Sequence, residues 1–355
     1  MNDRISELKQ EYFKVSQAKR LMLLCLALAV FLGVIWSLNI GPSDVSLKTV
    51  WEVILDLFQP NEALTNGERV IVLRVRLPRI CASILAGILL AASGLLMQGV
   101  FQNPLVSPYT MGVSNGASFG ASIAIVFASR LAFLNLGDYL TPLFAFAFAA
   151  ITMFMVQGIA KIAKNSTGTL LLAGVAVGHL FTGLVSLMKY VANEDQLPDL
   201  VFWQLGSVSN VTWPQIALMA GAALIGVVFM TGYAWDLNVM ATGEESAVSL
   251  GVNYKKIRTI AFILSTLMTG AAVSFTGIIG FVGMVAPHIA RIIVGNDYRY
   301  TIPTASVCGA LLLLVADSIS RVLVSTVSMP IGVVTSLIGV PFFLWLIVRK
   351  KQEVG

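Results

Sequence analysis

Apolar runs of about twenty residues, each nearly free of charge, recur along this chain from one end to the other. A run of that length and polarity is what a helix needs to cross the ~30 Å hydrocarbon core of a bilayer. Inside that core every backbone amide must be satisfied within the chain, which restricts the fold to helices. Ten runs can be marked, at 21–40, 80–101, 108–129, 139–160, 169–191, 213–233, 259–275, 278–294, 303–324 and 330–348. The expected fold is therefore an all-α polytopic membrane protein of about ten transmembrane helices. Residues 1–20 are polar and read as an amphipathic cytoplasmic segment. A second short helix is expected at 45–58, lying in the interface, and another within 193–212. The transmembrane domain then covers 21–348, and 349–355 is a tail.

Only 12% of the residues are charged, against about 25% in soluble domains, so a soluble enzyme is excluded. Ten spans put both termini on one side. If that side is cytoplasmic, most of the 23 Lys and Arg fall inside, which supports an N-in, C-in orientation. The net charge of +5 then reflects loop topology, with no nucleic-acid partner implied. The three cysteines lie scattered in apolar runs and make neither a disulfide framework nor a metal-ligand spacing. No cleavable signal peptide is evident.

One polar stretch interrupts the pattern, residues 236–258. Between Gly243 and Gly251 there is room for about two helical turns. Glu244 and Glu245 sit at the positive end, and Gly251 supplies a left-handed stop. Ala247 and Leu250 are three apart and predicted to share a face. A short helix held outside the bilayer with a small apolar face suits docking to a second protein. An ordinary solvated loop is the alternative.

Arg69, Arg74, Arg76 and Arg79 cluster on the outer side, against the charge bias. They suit pairing with carboxylates of another protein or an anionic substrate, or snorkelling to lipid phosphates. Within the spans, Asp317 and Arg321 stand four apart in the order that favours a helical ion pair. That pair either neutralises itself or turns Arg321 toward the outer mouth. His179 lies alone among Gly174, Gly178 and Gly183, either packed or lining a wet cavity. His288 reads as a local cap at the inner side. Gly87, Ala91, Ala92 and Gly94 favour close helix packing. The Gly-, Ser- and Ala-rich third run suits either packing or a polar pathway wall. There is no P-loop, no hydrolase motif, no metal site and no set of buried carboxylates for ion coupling.

Five blocks carry a resemblance that covers nearly the whole chain. They are LRVRLPRI (73–80), SGLLMQGVFQNPLVSPYTMGVSNGA (93–117), TGEESAVSLGVN (242–253), GFVGMVAPHIARIIVGNDYR (280–299) and MPIGVVTSLIGVPFFLWLI (329–347). Together they resemble the permease subunits of ABC importers for iron-siderophores, haem and vitamin B12, with Met111 where the family usually has Leu. The resemblance implies a type II importer permease in the cytoplasmic membrane of a prokaryote. It also implies a second permease subunit, two cytoplasmic P-loop ATPases that hold ATP and Mg, and an extracytoplasmic solute-binding protein. No cofactor is expected on this chain, and no catalytic residue. The segment Gly243, Glu244, Glu245, Ala247, Leu250, Gly251, Val252 and Asn253 would enter a cleft on the ATPase. Arg76, Arg79 and Arg321 would pair with acidic residues of the binding protein. An inner gate would lie at Asn103, Pro104 and Leu105 and at Thr167 and Gly168; His179, from its place among glycines and not from the resemblance, is a candidate beside the pathway. Gly168 departs from the small hydroxyl residue expected there. The expected cargo is a ferric siderophore, with vitamin B12 or haem as alternatives on the same fold. An ion-coupled secondary transporter is the alternative of another class.

Overall fold

The computed structural model describes residues 2–41, 45–56, 64–162, 167–323 and 329–352, and the regular structure among them is helical throughout. In chain order the helices are α1 (Asn2–Asn39), α2 (Leu47–Asp56), α3 (Asn66–Val70), α4 (Leu77–Phe101), α5 (Val113–Val126), α6 (Leu140–Ile162), α7 (Thr167–Val191) and α8 (Gln196–Leu205). They continue with α9 (Trp213–Gly232), α10 (Ala234–Met240), α11 (Glu244–Ser249), α12 (Tyr254–Thr276), α13 (Val282–Val294), α14 (Tyr298–Val322) and α15 (Ile331–Gln352). A π-helical turn, Ile71–Arg76, joins α3 to α4. Seven helical stretches are long and apolar enough to cross a membrane, and three shorter apolar helices accompany them. These correspond to the ten runs read from the sequence. Inner and outer below follow the charge assignment.

The centre of the bundle is α4. It packs on α14, α12, α13 and α9, and most of its residues are buried. Lipid gives helices no hydrophobic drive to associate, so close contact depends on small residues that let backbones meet. Two such meetings hold α4. A Cβ on Gly87 would lie 2.2 Å from the Gly309 carbonyl oxygen of α14. A Cβ on Gly94 would lie 1.9 Å from the Gly283 carbonyl oxygen of α13. Both crossings exist only because no side chain is there.

Three regions differ from the sequence expectation. The amphipathic segment and the first span form one helix, α1, because no glycine or proline interrupts residues 2–32. Its inner part reaches α14, where Ser16 Oγ and Tyr300 OH lie 2.6 Å apart. The segment 69–79, for which the sequence suggested no helix, is helical, so its arginines are wound around an axis and point in several directions. The third and eighth runs yield short helices, α5 and α13, each entered by non-helical backbone. Within those entries, 103–112 and 277–281, Val106, Ser107, Met111 and Ile279 are buried against protein, where irregular backbone at depth is tolerated. The Ile279 N–H donates to the Tyr109 hydroxyl at 3.1 Å and links the two.

The third run is a packing surface. Gly116 and Gly120 face Thr152 and the Phe144 backbone of α6, and Ser114, Ser118 and Ser122 are buried. Gly112, at φ +76°, seats its backbone against Gly174 and Gly178 of α7, where a side chain would collide.

Candidate functional site

The polar stretch folds as two short helices, α10 and α11, of which only α11 was expected. Gly243, at φ +113°, starts α11, and Gly251, at φ +83°, ends it. The end is a Schellman motif: the Val252 N–H donates to Ala247 O and the Gly251 N–H to Val248 O, each at 3.0 Å. This closure fixes the turn and leads into α12, where the Asn253 side chain accepts from Lys256 N at 3.0 Å as the cap.

The face of α11 differs from the one the spacing suggests. Ala247 is fully buried against the bundle, while Leu250 is 67% exposed. The two do not share an outward face: Ala247 is buried, while Leu250, whose N–H still bonds Ser246 O at 3.1 Å in the last turn, is on the exposed side. The exposed apolar pair is Val248 and Leu250, flanked by exposed Glu244 and Glu245.

Three hydrogen-bonded links tie this segment to the bundle. Gln102 Nε2 donates to Met240 O at 2.7 Å. Tyr254 OH donates to Val100 O at 3.3 Å. Asn238 Oδ1 accepts from Tyr298 N at 2.8 Å, while its amide donates to Asp297 Oδ1 at 2.9 Å. The first two hold the inner end of α4, and the third holds the corner between α13 and α14. Asp297 is pulled down to about 2, chiefly by hydrogen bonds from the Arg299 guanidinium and also by Asn238. The α10–α11 unit is thereby connected to the two helices that cross at the centre of the fold.

Gln102, at the junction, is left-handed, with φ +50°. It terminates α4 and turns the chain into Asn103, Pro104 and Leu105. Asn103 Oδ1 accepts from Leu105 N at 2.9 Å, and Leu105 is exposed. Thr167 and Gly168 form the first turn of α7, and Gly168 is exposed. The structure places these segments on neighbouring elements, with α7 packed on the Met111–Gly112 turn that follows Leu105. His179 lies on the exposed side of α7 with Thr182 and Ser186. Asn115 of α5 reaches toward that side, donating to Gly178 O at 3.0 Å and to Thr182 Oγ1 at 3.1 Å. An exposed stripe of imidazole, hydroxyl and amide on a spanning helix is costly against lipid and suits water or another subunit.

The outer arginines are held within the chain. Arg76, Arg79 and Arg321 are only 4%, 8% and 7% exposed. Arg76 donates to Leu38 O and Val45 O at the end of α1 and beyond. Arg79 Nε donates to Asp317 Oδ1 at 2.7 Å, and its other nitrogen reaches Ser320 at 3.2 Å. Arg321 lies 3.0 Å from Asp317 Oδ2 and donates to the backbone of Ser37 and Ile40. Asp317 is fully buried, and a buried carboxylate must be paired. The ion pair read at four-residue spacing is present, but it is a clamp joining α1, α4 and α14, and it does not orient Arg321 to an outer mouth. Sequence reading missed Arg79 as the second partner of Asp317, since nothing local links positions 238 apart. Arg74 remains exposed on this side.

The sequence profile described as the FecCD transport family matches residues 27–349. The iron(3+)-hydroxamate import system permease of Bacillus subtilis is 37% identical, over 94% of this chain and 82% of its own length. The hemin transport system permease of Yersinia pestis is 34% identical, over 94% of this chain and 97% of its own. A solved inward-facing metal-chelate-type ABC transporter aligns at a TM-score of 0.78 with 30% identity, covering 94% of this chain and 100% of that one.

Proposed function

The chain belongs to the FecCD transport family and is a membrane-embedded ABC importer permease, and from that premise we propose that it carries a ferric-siderophore-type metal chelate inward by alternating access. The observation that carries the mechanism is the α10–α11 unit. It offers an exposed Val248–Leu250 patch outside the spans and is hydrogen-bonded to both α4 and the α13–α14 corner. A P-loop ATPase that grips this patch and moves on binding ATP and Mg would pull on Met240 and Asn238. Gln102 would pass that displacement to Asn103, Pro104 and Leu105, the proposed gate opposite Thr167 and Gly168. Packed helices have discrete arrangements, so a displaced element switches the bundle rather than bending it.

The remaining partners follow in the same reading. A second permease subunit, this chain or a relative, faces the polar stripe of α7, and the pathway runs between them past His179. Two ATPase subunits sit on the cytoplasmic side of a prokaryotic plasma or inner membrane, and hydrolysis occurs on them. An external binding protein delivers the chelate to the outer face. The Arg76, Arg79, Arg321 and Asp317 clamp supports that face, and the exposed Arg74 is the charge available to acidic residues of the arriving protein.

Leu250→Glu tests the coupling. It puts a charge on an exposed site, so folding and detergent stability should match wild type, while ATP-driven uptake of a ferric siderophore in proteoliposomes should fall at least tenfold. Wild-type uptake by the variant, with the ATPase still bound, would remove α11 from the mechanism. Uptake driven by an ion gradient without any ATPase would favour the secondary-transporter reading.

A further inference from the structure

We propose that the cavity at the inner side between α4, α13 and α14 binds a phosphate group, with Arg291 as its charged anchor. The cavity has a volume of about 310 Å³, and its walls include Gln98, Gln102, Asn103, Arg291, Asn296 and Tyr298. Two other cavities, of about 630 and 320 Å³, are lined almost wholly by hydrocarbon side chains. This one alone among them combines a cation with several amides.

Arg291 enters it half-buried from α13, and among the described residues no carboxylate lies within ion-pair distance. Its guanidinium donates to the side-chain oxygen of Gln98. Gln98 is turned that way because its own amide donates to Gly283 O at 3.3 Å. The nearest acid along the chain, Asp297, is engaged by Arg299 at 2.6 Å and by Asn238. Lys19, 5.0 Å from the Tyr300 ring centre, and Arg299 add further positive charge at this end of the bundle.

A half-buried cation with no counter-charge is unfavourable, and an anion entering the cavity relieves it. The guanidinium fork matches two oxygens of a phosphate. The carboxamides of Gln102, Asn103 and Asn296 offer further donors. The cavity lies where the apolar stretch of α4 ends and that of α14 begins, on the side that the charge assignment makes inner. Basic clefts between spanning helices on that side take up phosphate headgroups. A lipid headgroup and free phosphate present the same chemistry here. Bound phosphate would brace Gln102 and Asn103 against Ala241, just ahead of α11, but the binding itself does not depend on the coupling reading.

The test uses the full-length chain purified in detergent. Native mass spectrometry follows titration with phosphatidylglycerol and, in parallel, a galactosyl diacylglycerol of the same acyl chains. Equilibrium dialysis follows inorganic phosphate. Phosphatidylglycerol or inorganic phosphate should bind saturably, and Arg291→Gln should weaken that binding about tenfold or more. Lys48→Gln, on α2 away from the cavity, should leave it unchanged. Asn296→Asp places a carboxylate at the exposed rim without disturbing the core, so it should weaken binding too, even where Arg291→Gln fails to fold. Arg291-dependent binding of the lipid alone assigns a headgroup, and of inorganic phosphate assigns a free anion. Equal binding by wild type, Arg291→Gln and Asn296→Asp, or galactolipid binding equal to that of phosphatidylglycerol, would overturn the proposal.

Discussion

At the scale of single residues the strongest commitment is Asp317. One carboxylate, fully buried, answers two guanidiniums from different helices. Removing one member of a buried pair leaves the others uncompensated and costs about 3–5 kcal/mol. Asp317→Asn should therefore lower the thermal unfolding midpoint in detergent sharply. Replacing all three members together, as Asp317→Leu with Arg79→Met and Arg321→Met, should recover part of that loss, because hydrophobic replacements of buried ion pairs and triads are often neutral. A single Asp317→Asn with wild-type stability would mean the clamp is incidental. The Asp317–Arg321 half of this clamp was legible in the sequence from its four-residue spacing. The Arg79 half was not, since α4 and α14 meet only in the folded bundle.

At the scale of elements, the crossings of α4 are set by missing side chains. Gly94→Val would drive a branched side chain into the α13 backbone at Gly283, and Gly87→Val into α14 at Gly309. Each should cost about 1–3 kcal/mol or more through forced separation of helices. Gly221→Val on α9, where nothing lies within 4 Å of an added Cβ, should stay within about 0.5 kcal/mol. Thermal melts of the three variants side by side distinguish crossing glycines from idle ones, and equal losses would count against the crossings. The loop between α13 and α14 gives a pH signature. Asp297 is depressed to about 2 by Arg299 and Asn238, so its stabilising contribution is complete above its unfolded value of about 4. That contribution is lost as pH falls from there through about 2. The stability difference between wild type and Asp297→Asn should be flat near neutrality and shrink below about pH 4. A difference that grew on acidification would reverse the assignment. The glycines of the α4 crossings could be singled out from composition, but their partners, Gly309 and Gly283, could not.

At the scale of the whole molecule, the exposed faces define the assembly. The polar side of α7 and the Val248–Leu250 patch are both exposed among the described residues. Co-purification from native membranes should bring down a P-loop ATPase and a second permease subunit in equal numbers with this chain. Recovery of the chain by itself under mild detergent would leave those faces without their proposed partners.

By itself the sequence determined the helical class, the ten apolar helices and the family, because bilayer thickness and backbone hydrogen bonding leave few other solutions. It also located α11, since Gly243 and Gly251 mark positions where only glycine takes the required backbone angles readily. Tertiary structure decided which way the polar groups face. Arg76, Arg79 and Arg321 turn inward because a carboxylate on α14 and carbonyls at the end of α1 are presented to them by packing. Ala247 is buried and Leu250 exposed because only Ala247 packs against the rest of the fold. Arg291 lines a cavity because α4, α13 and α14 meet around it. Periodicity sorts apolar from polar along one helix, but the direction in which a buried charge is satisfied depends on partners that only the folded chain supplies.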